Sequence, residues 1–506
     1  MSNRLTSARS LLFIALVIGA ILPASSRAAG VEGDRKLNVL FIMADDLRVE
    51  LGCYGSQALT PNLDRLAARG MRFDRAYCQQ ALCNPSRSSM LCGRRPDALG
   101  LWINGTHFRE LNPQVVTLPE FFQQHGYVTR DVGKIFHNWH TKAHGDRQSW
   151  SAPEFMHYAN HGDDKPQIDG TPPANQATAP KCERLDVPDA AYFDGRVADE
   201  AVRVLNELGP NKEQPFFLAV GFWKPHAPFN APAKYWDLYD RAKLPTLDPR
   251  RPAGAPDVAF HDGREIRGIP PNQVTFTSDQ AAEIRHGYYA GTSFMDAQVG
   301  KVLAALDAQG LRDSTLIVFC ADHGYHLGEH DLWCKTSCFE LDARVPLIIA
   351  PPKFERGGTA STSLVELLDM YPTLIDLCGL PTTVGELDGR SLRALIDDPT
   401  KQVKEAAFTQ HPRPSYPDRT ERGVPEAMGY SVRTARVRYT EWRRWETGEV
   451  VAAELYEHTT DPTEMKNALS APSNAEALEE AKKLLHAQFP PDVAPVKLAK
   501  QPVAAP

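Results

Sequence analysis

Continuous apolar runs alternate with amphipathic stretches along most of this chain. Leu37 to Met43, Phe216 to Phe222, Thr315 to Ala321 and Val345 to Ala350 are nearly unbroken in apolar residues. Runs of that kind fit strands covered on both faces of a sheet better than strands with one wet side. Between them, Pro61 to Ala68, Asp199 to Leu208 and Ala297 to Leu306 read as helices. The alternation predicts an α/β fold with a large mixed, mostly parallel sheet flanked by helices. In such sheets ligands sit beyond the carboxyl ends of the strands, which is where Asp45-Asp46, His226 and Asp322-His323 all fall.

Two stretches break the alternation. His161 to Asp189 and Lys243 to Gln273 are rich in Pro, Gly and Asp and read as long loops. Loops of that length are either walls of a binding pocket or surface insertions. After about Lys401 the pattern changes to short strand-like pieces, Tyr430 to Val432 and Val437 to Trp442, followed by a helical stretch from Asn474 to Gln488. The expected organisation is a catalytic domain over 36–400 and a smaller C-terminal α+β domain over 401–490. The Pro-rich tail, residues 491–506, is expected to be disordered.

At 506 residues the chain is long enough for a large core. Leu11 to Leu22 is a short apolar stretch preceded by Arg4 and Arg9 and followed by small residues through Ala29. That layout predicts a cleaved signal peptide over 1–29, and an exported protein in the periplasm or outside the cell. The stretch is short for a membrane span, and no later segment is apolar enough, so no stable membrane anchor is expected. Removing those residues takes away three arginines and no acid, moving the formal charge from −7 to −10. A chain so acidic is not expected to bind nucleic acid, and an anionic substrate would have to be met by a local cluster of cations. Nine cysteines are an odd number for an exported protein. Cys334 and Cys338 are spaced so that a bridge is one reading and buried thiols the other.

The chemistry concentrates in a few places. Paired acids at a strand end favour a hard divalent cation, so Asp45, Asp46 and Asp322 are candidate carboxylate ligands for Ca²⁺ or Mg²⁺, with His323 beside them. An Asp-Asp pair alone is also a common helix cap or solvated turn; a second acidic strand end favours the metal. Residues 83 to 87 read Cys-Asn-Pro-Ser-Arg. Pro85 restricts the backbone, Ser86 to Leu91 is a plausible first helical turn whose N-terminus favours an anion at residue 83, and Arg87 offers a planar fork for a carboxylate or sulfate oxygen. A plain Cys83 thiolate would need a dedicated base that the motif does not identify. Lys134 and His137 sit in Gly133-Lys-Ile-Phe-His137, Lys224 and His226 follow one predicted strand, and Lys335 follows another by a short loop. Each lysine alone reads equally as a solvated surface residue. His137, His140 and His144 suggest an alternative transition-metal site, which the acids elsewhere make the weaker reading.

Cys-x-Pro-Ser-Arg at residues 83–87 is the pentapeptide of the sulfatase family, and the chain resembles that family from about Asn38 to Leu469. Gly93-Arg-Arg-Pro-Asp97, Asp296-Ala-Gln-Val-Gly300, Gly328-Glu-His330, Gln410-His-Pro-Arg-Pro414 and Gly429-Tyr-Ser-Val-Arg433 resemble its iduronate-2-sulfatase branch. The resemblance implies an alkaline phosphatase-like fold and hydrolysis of sulfate esters on a sulfated saccharide. It further implies that Cys83 is oxidised to formylglycine by a formylglycine-generating enzyme, with Asp45, Asp46, residue 83, Asp322 and His323 around Ca²⁺. Arg87, Lys134 and Lys335 would neutralise the sulfate oxygens, His226 would protonate the leaving oxygen, and His137 would act as base. Asn84, Leu101-Trp-Ile-Asn104 and Tyr325-His326 depart from that branch. They bear on specificity, so a sulfated polysaccharide fragment is the expected class rather than 2-O-sulfated iduronate in particular. A phosphoester or phosphonate ester hydrolase on the same scaffold is the competing enzyme reading, and a non-catalytic sulfated-glycan binder the competing class.

Overall fold

The computed structural model describes residues 36–137, 145–155, 182–261, 266, 276–381, 385–491 and 493–498. The expected signal peptide, His140, His144 and most of the first long loop lie outside the described residues.

The largest sheet has eight strands. Its parallel centre runs β7 (Thr315–Ala321), β1 (Asn38–Asp45), β5 (Phe216–Pro225), β3 (Val128–Gly133). On the β7 side, β11 (Leu347–Ala350) and β10 (Arg344–Val345) run antiparallel to β2 (Met71–Tyr77), to which β12 (Thr359–Glu366) adds in parallel. The apolar run from Val345 to Ala350 is thus two short strands parted by Pro346, which has no N–H to give a ladder. Of the central strands, β1, β5 and β7 are buried along their whole length, as the continuous apolar runs require.

Register sets the site. Ala44 lies opposite Ala321 and Met43 opposite Gly221, so Asp45, Asp322 and the turn after β5 leave the sheet side by side. Gly133 ends β3 with φ +89°, and a Cβ there would meet the Gly221 carbonyl oxygen at 2.1 Å. The two glycines let the backbones close up, and this close packing is what turns Lys134 over the strand ends.

The helices are longer than their apolar spacing suggests. The expected helix from Ala297 is the last part of a 31-residue helix, Ser278–Ala308, whose stretch from His286 to Asp296 is buried on every side and so carries no amphipathic period. A second sheet, β13 (Ala407–Arg413), β14 (Ala427–Arg433), β15 (Val437–Arg444) and β16 (Val450–Glu457), is an antiparallel meander. Helix Ala475–Gln488 covers it through Ala477, Ala481 and Leu485. The near part of the expected disordered tail is ordered: Pro495–Leu498 is a helical turn, Ala494 is buried, and the Val496 N–H donates to the Trp445 carbonyl. Packing against Trp445 outweighs the proline-rich composition there.

Two small pairings complete the described strands. They are β4 (Cys182–Leu185) with β6 (Phe229–Pro232), and the hairpin β8 (His326–Leu327) with β9 (Trp333–Cys334). Cys338 is a free buried thiol, so Cys334 and Cys338 form no bridge.

The two larger sheets are tied by a buried ion network. Glu366, at the end of β12, accepts from Arg95 at 2.8 and 3.0 Å, from Lys404 at 2.6 Å and from the Phe408 N–H of β13 at 3.1 Å. Burial disfavours its ionised form, but Arg95 and Lys404 hold the carboxyl well below the usual glutamate range. A carboxyl lowered by folding contributes stability above its unfolded pKa and loses it as pH falls below the ordinary glutamate value near ~4.3. Glu366→Ala leaves the buried Arg95 without its carboxylate, while Lys404 keeps Asp369 at 2.6 Å, and is expected to cost about 3–5 kcal/mol. The exposed Glu386→Ala should cost under about 0.5 kcal/mol. Urea unfolding midpoints at pH 7 measure both, and the gap between them should narrow at acid pH.

Candidate active site

Cys83 opens helix Cys83–Cys92, whose residues are all buried. The helix therefore begins three residues before the turn expected at Ser86. Its first turn points residue 83 at the ends of β1 and β7. The Cys83 Sγ lies 3.6 Å from Asp45 Oδ1 and 3.4 Å from His323 Nε2. His323 Nδ1 is 3.0 Å from the Gly324 carbonyl, which only accepts. Nδ1 therefore carries a proton, and Nε2 is the ring nitrogen turned to residue 83, with Asp46 and Asp322 oxygens at 3.5 and 3.6 Å.

Three carboxylates and three cations share this space. Arg87 donates Nε to Asp322 at 2.8 Å and Nη2 to Asp45 at 3.2 Å. Lys134 donates to Asp45 Oδ2, and Lys335 reaches both oxygens of Asp46 at 3.0 Å. All six residues are buried. Asp46 takes a left-handed φ of 60°, sterically unfavourable for a side chain. Its N–H donates to Asp322 Oδ1 at 3.1 Å and its carbonyl accepts from the Tyr288 hydroxyl at 2.7 Å, and these bonds hold the turn. Burial alone would raise the Asp45 pKa, but Lys134, His226 and Arg87 hold the carboxyl well below its usual range.

The ligand atoms of Asp45, Cys83, Asp322 and His323 lie within 4.8 Å of one another, as do those of Asp45, Asp46, Cys83 and His226. Each group offers two carboxylates, one imidazole and residue 83, and together they bring three carboxylates to one place, the donors a hard divalent cation prefers.

Arg87 corrects one sequence expectation. Its guanidinium spends Nε and Nη2 on Asp322 and Asp45, and Nη1 on the carbonyls of Lys134 and Ile135. It is fully enclosed, and in this arrangement it braces the carboxylates and the Lys134 turn. The thiol also differs from a ready nucleophile. Burial, then the Asp45 carboxylate, push the Cys83 pKa above its usual value, so an unmodified side chain here is a neutral thiol.

His226 lies 3.8 Å from Asp46 through Nε2, and its Nδ1 is 2.6 Å from the Ala227 carbonyl. Lys224 braces this turn by donating to the His226 and Pro228 carbonyls at 3.0 and 2.6 Å. Burial brings Lys224 down to about 8. His137 is buried three residues past Lys134, and its partners in the alternative histidine site lie outside the described residues.

Asp194 carried no sequence signal, and the contacts of Asn84 and Arg413 could not be read from their motifs. Asp194 sits in helix Phe193–Leu208 and accepts the Trp223 and Lys224 N–H groups at 2.8 Å each. Asn84 donates its amide to the Ile103 and Thr106 carbonyls at 2.9 and 2.7 Å, fastening the loop at 101–106 over the start of the helix. Arg413, on β13, donates to the Val258, Ala259 and Thr336 carbonyls. The described part of the second long loop, at Val258 and Ala259, therefore packs beside the Lys335 segment.

A sulfatase family model matches residues 37–380, and a model of the N-sulphoglucosamine sulphohydrolase C-terminal region matches residues 328–489. Human iduronate 2-sulfatase is 34% identical, the alignment covering 91% of this chain and 96% of that protein. A sulfatase of Formosa agariphila is 32% identical over 68% of this chain and 70% of its own length. Among solved structures, BT4656 in complex with its substrate D-glucosamine-2-N,6-O-disulfate superposes with a TM-score of 0.71 at 21% identity, over 93% of this chain and 100% of that one. At that identity the likeness speaks for the fold, which is alkaline phosphatase-like. The family models and the identity to curated sulfatases carry the assignment: the chain belongs to the sulfatase family and is a sulfuric ester hydrolase.

Proposed function

We propose that this enzyme removes sulfate from a sulfated saccharide, with residue 83 acting as formylglycine and Asp45, Asp46, Asp322 and His323 holding Ca²⁺, or Mg²⁺ in its place. The observation that carries the reading is the position of Cys83. It is a protonation-favoured thiol at the first turn of a helix, with carboxylates, an imidazole nitrogen and buried ammonium groups around its Sγ. When present, the hydrated aldehyde supplies an oxygen nucleophile and the cation lowers the cost of ionising it.

The roles of the protein groups follow from charge. Asp45, Asp46 and Asp322 are balanced by Arg87, Lys134 and Lys335 without any ion. A divalent cation on the carboxylates makes the pocket net positive and releases Lys134 and Lys335 to face sulfate oxygens. Arg87 remains a brace. His226, with Nδ1 against the Ala227 carbonyl, delivers a proton from Nε2 to the departing sugar oxygen, and His137 is the base of the second half-reaction. The saccharide class rests on the identity to iduronate 2-sulfatase. The protein is exported, with the modifying enzyme as its partner in maturation. Among the described residues no helix is long and apolar enough to cross a membrane.

The tryptic peptide from Ala76 to Arg87, taken from protein made in the native host, is expected to have the Cys83 CH₂–SH group replaced by an aldehyde or its hydrate. A wholly unmodified thiol in that peptide refutes the proposal. Chelation with EGTA or EDTA should abolish turnover of 2-O-sulfated uronate disaccharides, and Ca²⁺ or Mg²⁺ should restore it. Restoration by Zn²⁺ alone would favour the histidine site instead. His226→Ala should lower kcat by about 10²–10⁴-fold on a sugar sulfate, where the leaving alkoxide needs a proton. On 4-nitrophenyl sulfate, whose leaving group is stable as an anion, the loss should be much smaller. Equal losses on both substrates would remove His226 from the acid role.

A further inference from the structure

Beside the metal-binding strand end lies a second histidine cluster that the reaction does not use. His326 begins β8, three residues after His323, and is completely buried, as is its neighbour His330. His326 Nδ1 is 2.6 Å from Asp342 Oδ1, His326 Nε2 is 3.3 Å from His330 Nδ1, and His330 Nε2 is 2.8 Å from the Thr463 carbonyl.

Counting protons along this chain fixes its charge. The Thr463 carbonyl only accepts, so His330 Nε2 carries a proton. Asp342 also accepts from the Ser337 N–H and hydroxyl at 2.9 and 2.6 Å. Burial would raise its pKa, but His326 and these donors hold it down at about 2, so it is a carboxylate and His326 Nδ1 donates to it. The two inner nitrogens then face each other. Were both rings neutral, two lone pairs would meet at 3.3 Å inside the protein; a hydrogen bond there requires one more proton.

We propose that His326 and His330 share a single extra proton, and that this charged pair is a positioning device for Lys335. The pair holds three ring protons, with His326 the imidazolium against Asp342 and His330 the neutral acceptor. The connection to Lys335 is covalent and short. His326 pairs with Cys334 across the β8–β9 hairpin, Lys335 follows Cys334, and Ser337 is bound to the same Asp342. The hairpin and its exit contain four non-glycine residues at left-handed φ, His330, Asp331, Cys334 and Thr336. Such a backbone persists only where its surroundings over-determine it. Loss of the shared proton sets lone pair against lone pair at the centre of this hairpin and loosens the segment that aims Lys335 at Asp46.

The groups facing the pair are consistent with one positive charge. On the same segment Glu329 is occupied by Arg48 at 2.6 Å, and Asp331 pairs with Arg251. Phe339 packs its ring against both imidazoles. Glu464 and Asp248 act on His330 from the other side, Glu464 being engaged by Arg438 and His458. Burial and then Arg413 hold His261 neutral, and the same two causes bring His411 down to about 3, so the fixed positive charge beyond Asp342 is that of Arg413. Asp342 is therefore the carboxylate directly bonded to the pair.

The inference rests on the sulfatase reading for the role of Lys335, whereas the proton count does not, and two measurements separate them. The first compares kcat/KM on 4-nitrophenyl sulfate for the native-host enzyme and His326→Ala as a function of pH. Ionisations common to both, including that of His226, cancel in the ratio. The ratio is expected to be about tenfold or more at acid pH, since small misplacements of a charged group carry such penalties, and to fall toward one as pH rises and the wild-type pair loses its proton. A ratio that stays constant with pH, whether one or large, overturns the proposal, because a purely structural histidine gives that result. The second uses the unaltered protein with ring-¹⁵N-labelled histidine, so it does not depend on the variant folding or on any substrate. One imidazolium coupled through an N–H···N bond to one neutral ring protonated at Nε2 is the expected spectrum near pH 6. Two neutral rings at that pH overturn it even if the enzyme is an active sulfatase.

Discussion

Burying Asp45, Asp46 and Asp322 at adjacent strand ends is the constraint on which the rest of this structure depends. An unpaired carboxylate in such a place costs several kcal/mol or gives up its charge. The chain meets the cost with Arg87, Lys134 and Lys335, each brought from a different element. Arg87 comes from the helix opened by residue 83, Lys134 from the turn forced by the Gly133–Gly221 contact, and Lys335 from the exit of a hairpin. The fold is arranged so that these three approach one point.

The same balance gives the site its chemical range. The cluster is neutral overall without an ion, and under the proposed function a divalent cation on its carboxylates would make it an anion receptor. Arg87 cannot follow the lysines into that role, because its donors are already committed to Asp45, Asp322 and two backbone carbonyls. A planar guanidinium with four of its five N–H groups engaged is a rigid strut, and the lysines have the more flexible stems. The high thiol pKa at Cys83 fits this picture, since a carboxylate-lined pocket opposes a thiolate and favours a residue whose reactivity comes from another group.

The second sheet contributes through its first strand. β13 meets the main sheet at Glu366, and its Arg413 supports both the Thr336 carbonyl beyond Lys335 and the described part of the second long loop. The C-terminal sheet thus takes part in shaping the surroundings of residue 83. From Lys36 onward the chain forms one compact unit, in keeping with these buried links.

The sequence by itself determined the α/β class and the common address of the reactive residues, because unbroken apolar runs ending in Asp45-Asp46 and Asp322-His323 leave little choice about which strands are central and which end is polar. It also determined the family, since Cys-x-Pro-Ser-Arg and its companion motifs are local in the chain. Only the tertiary structure decided what depends on contacts between distant residues. It showed that Arg87 faces inward to two carboxylates, that Asp194, Asn84 and Glu366 support the site, that Pro346 splits a strand, and that His326 meets His330 and Asp342. A guanidinium binds a carboxylate or a sulfate equally well in one dimension; which anion it meets is set by the neighbours that folding supplies.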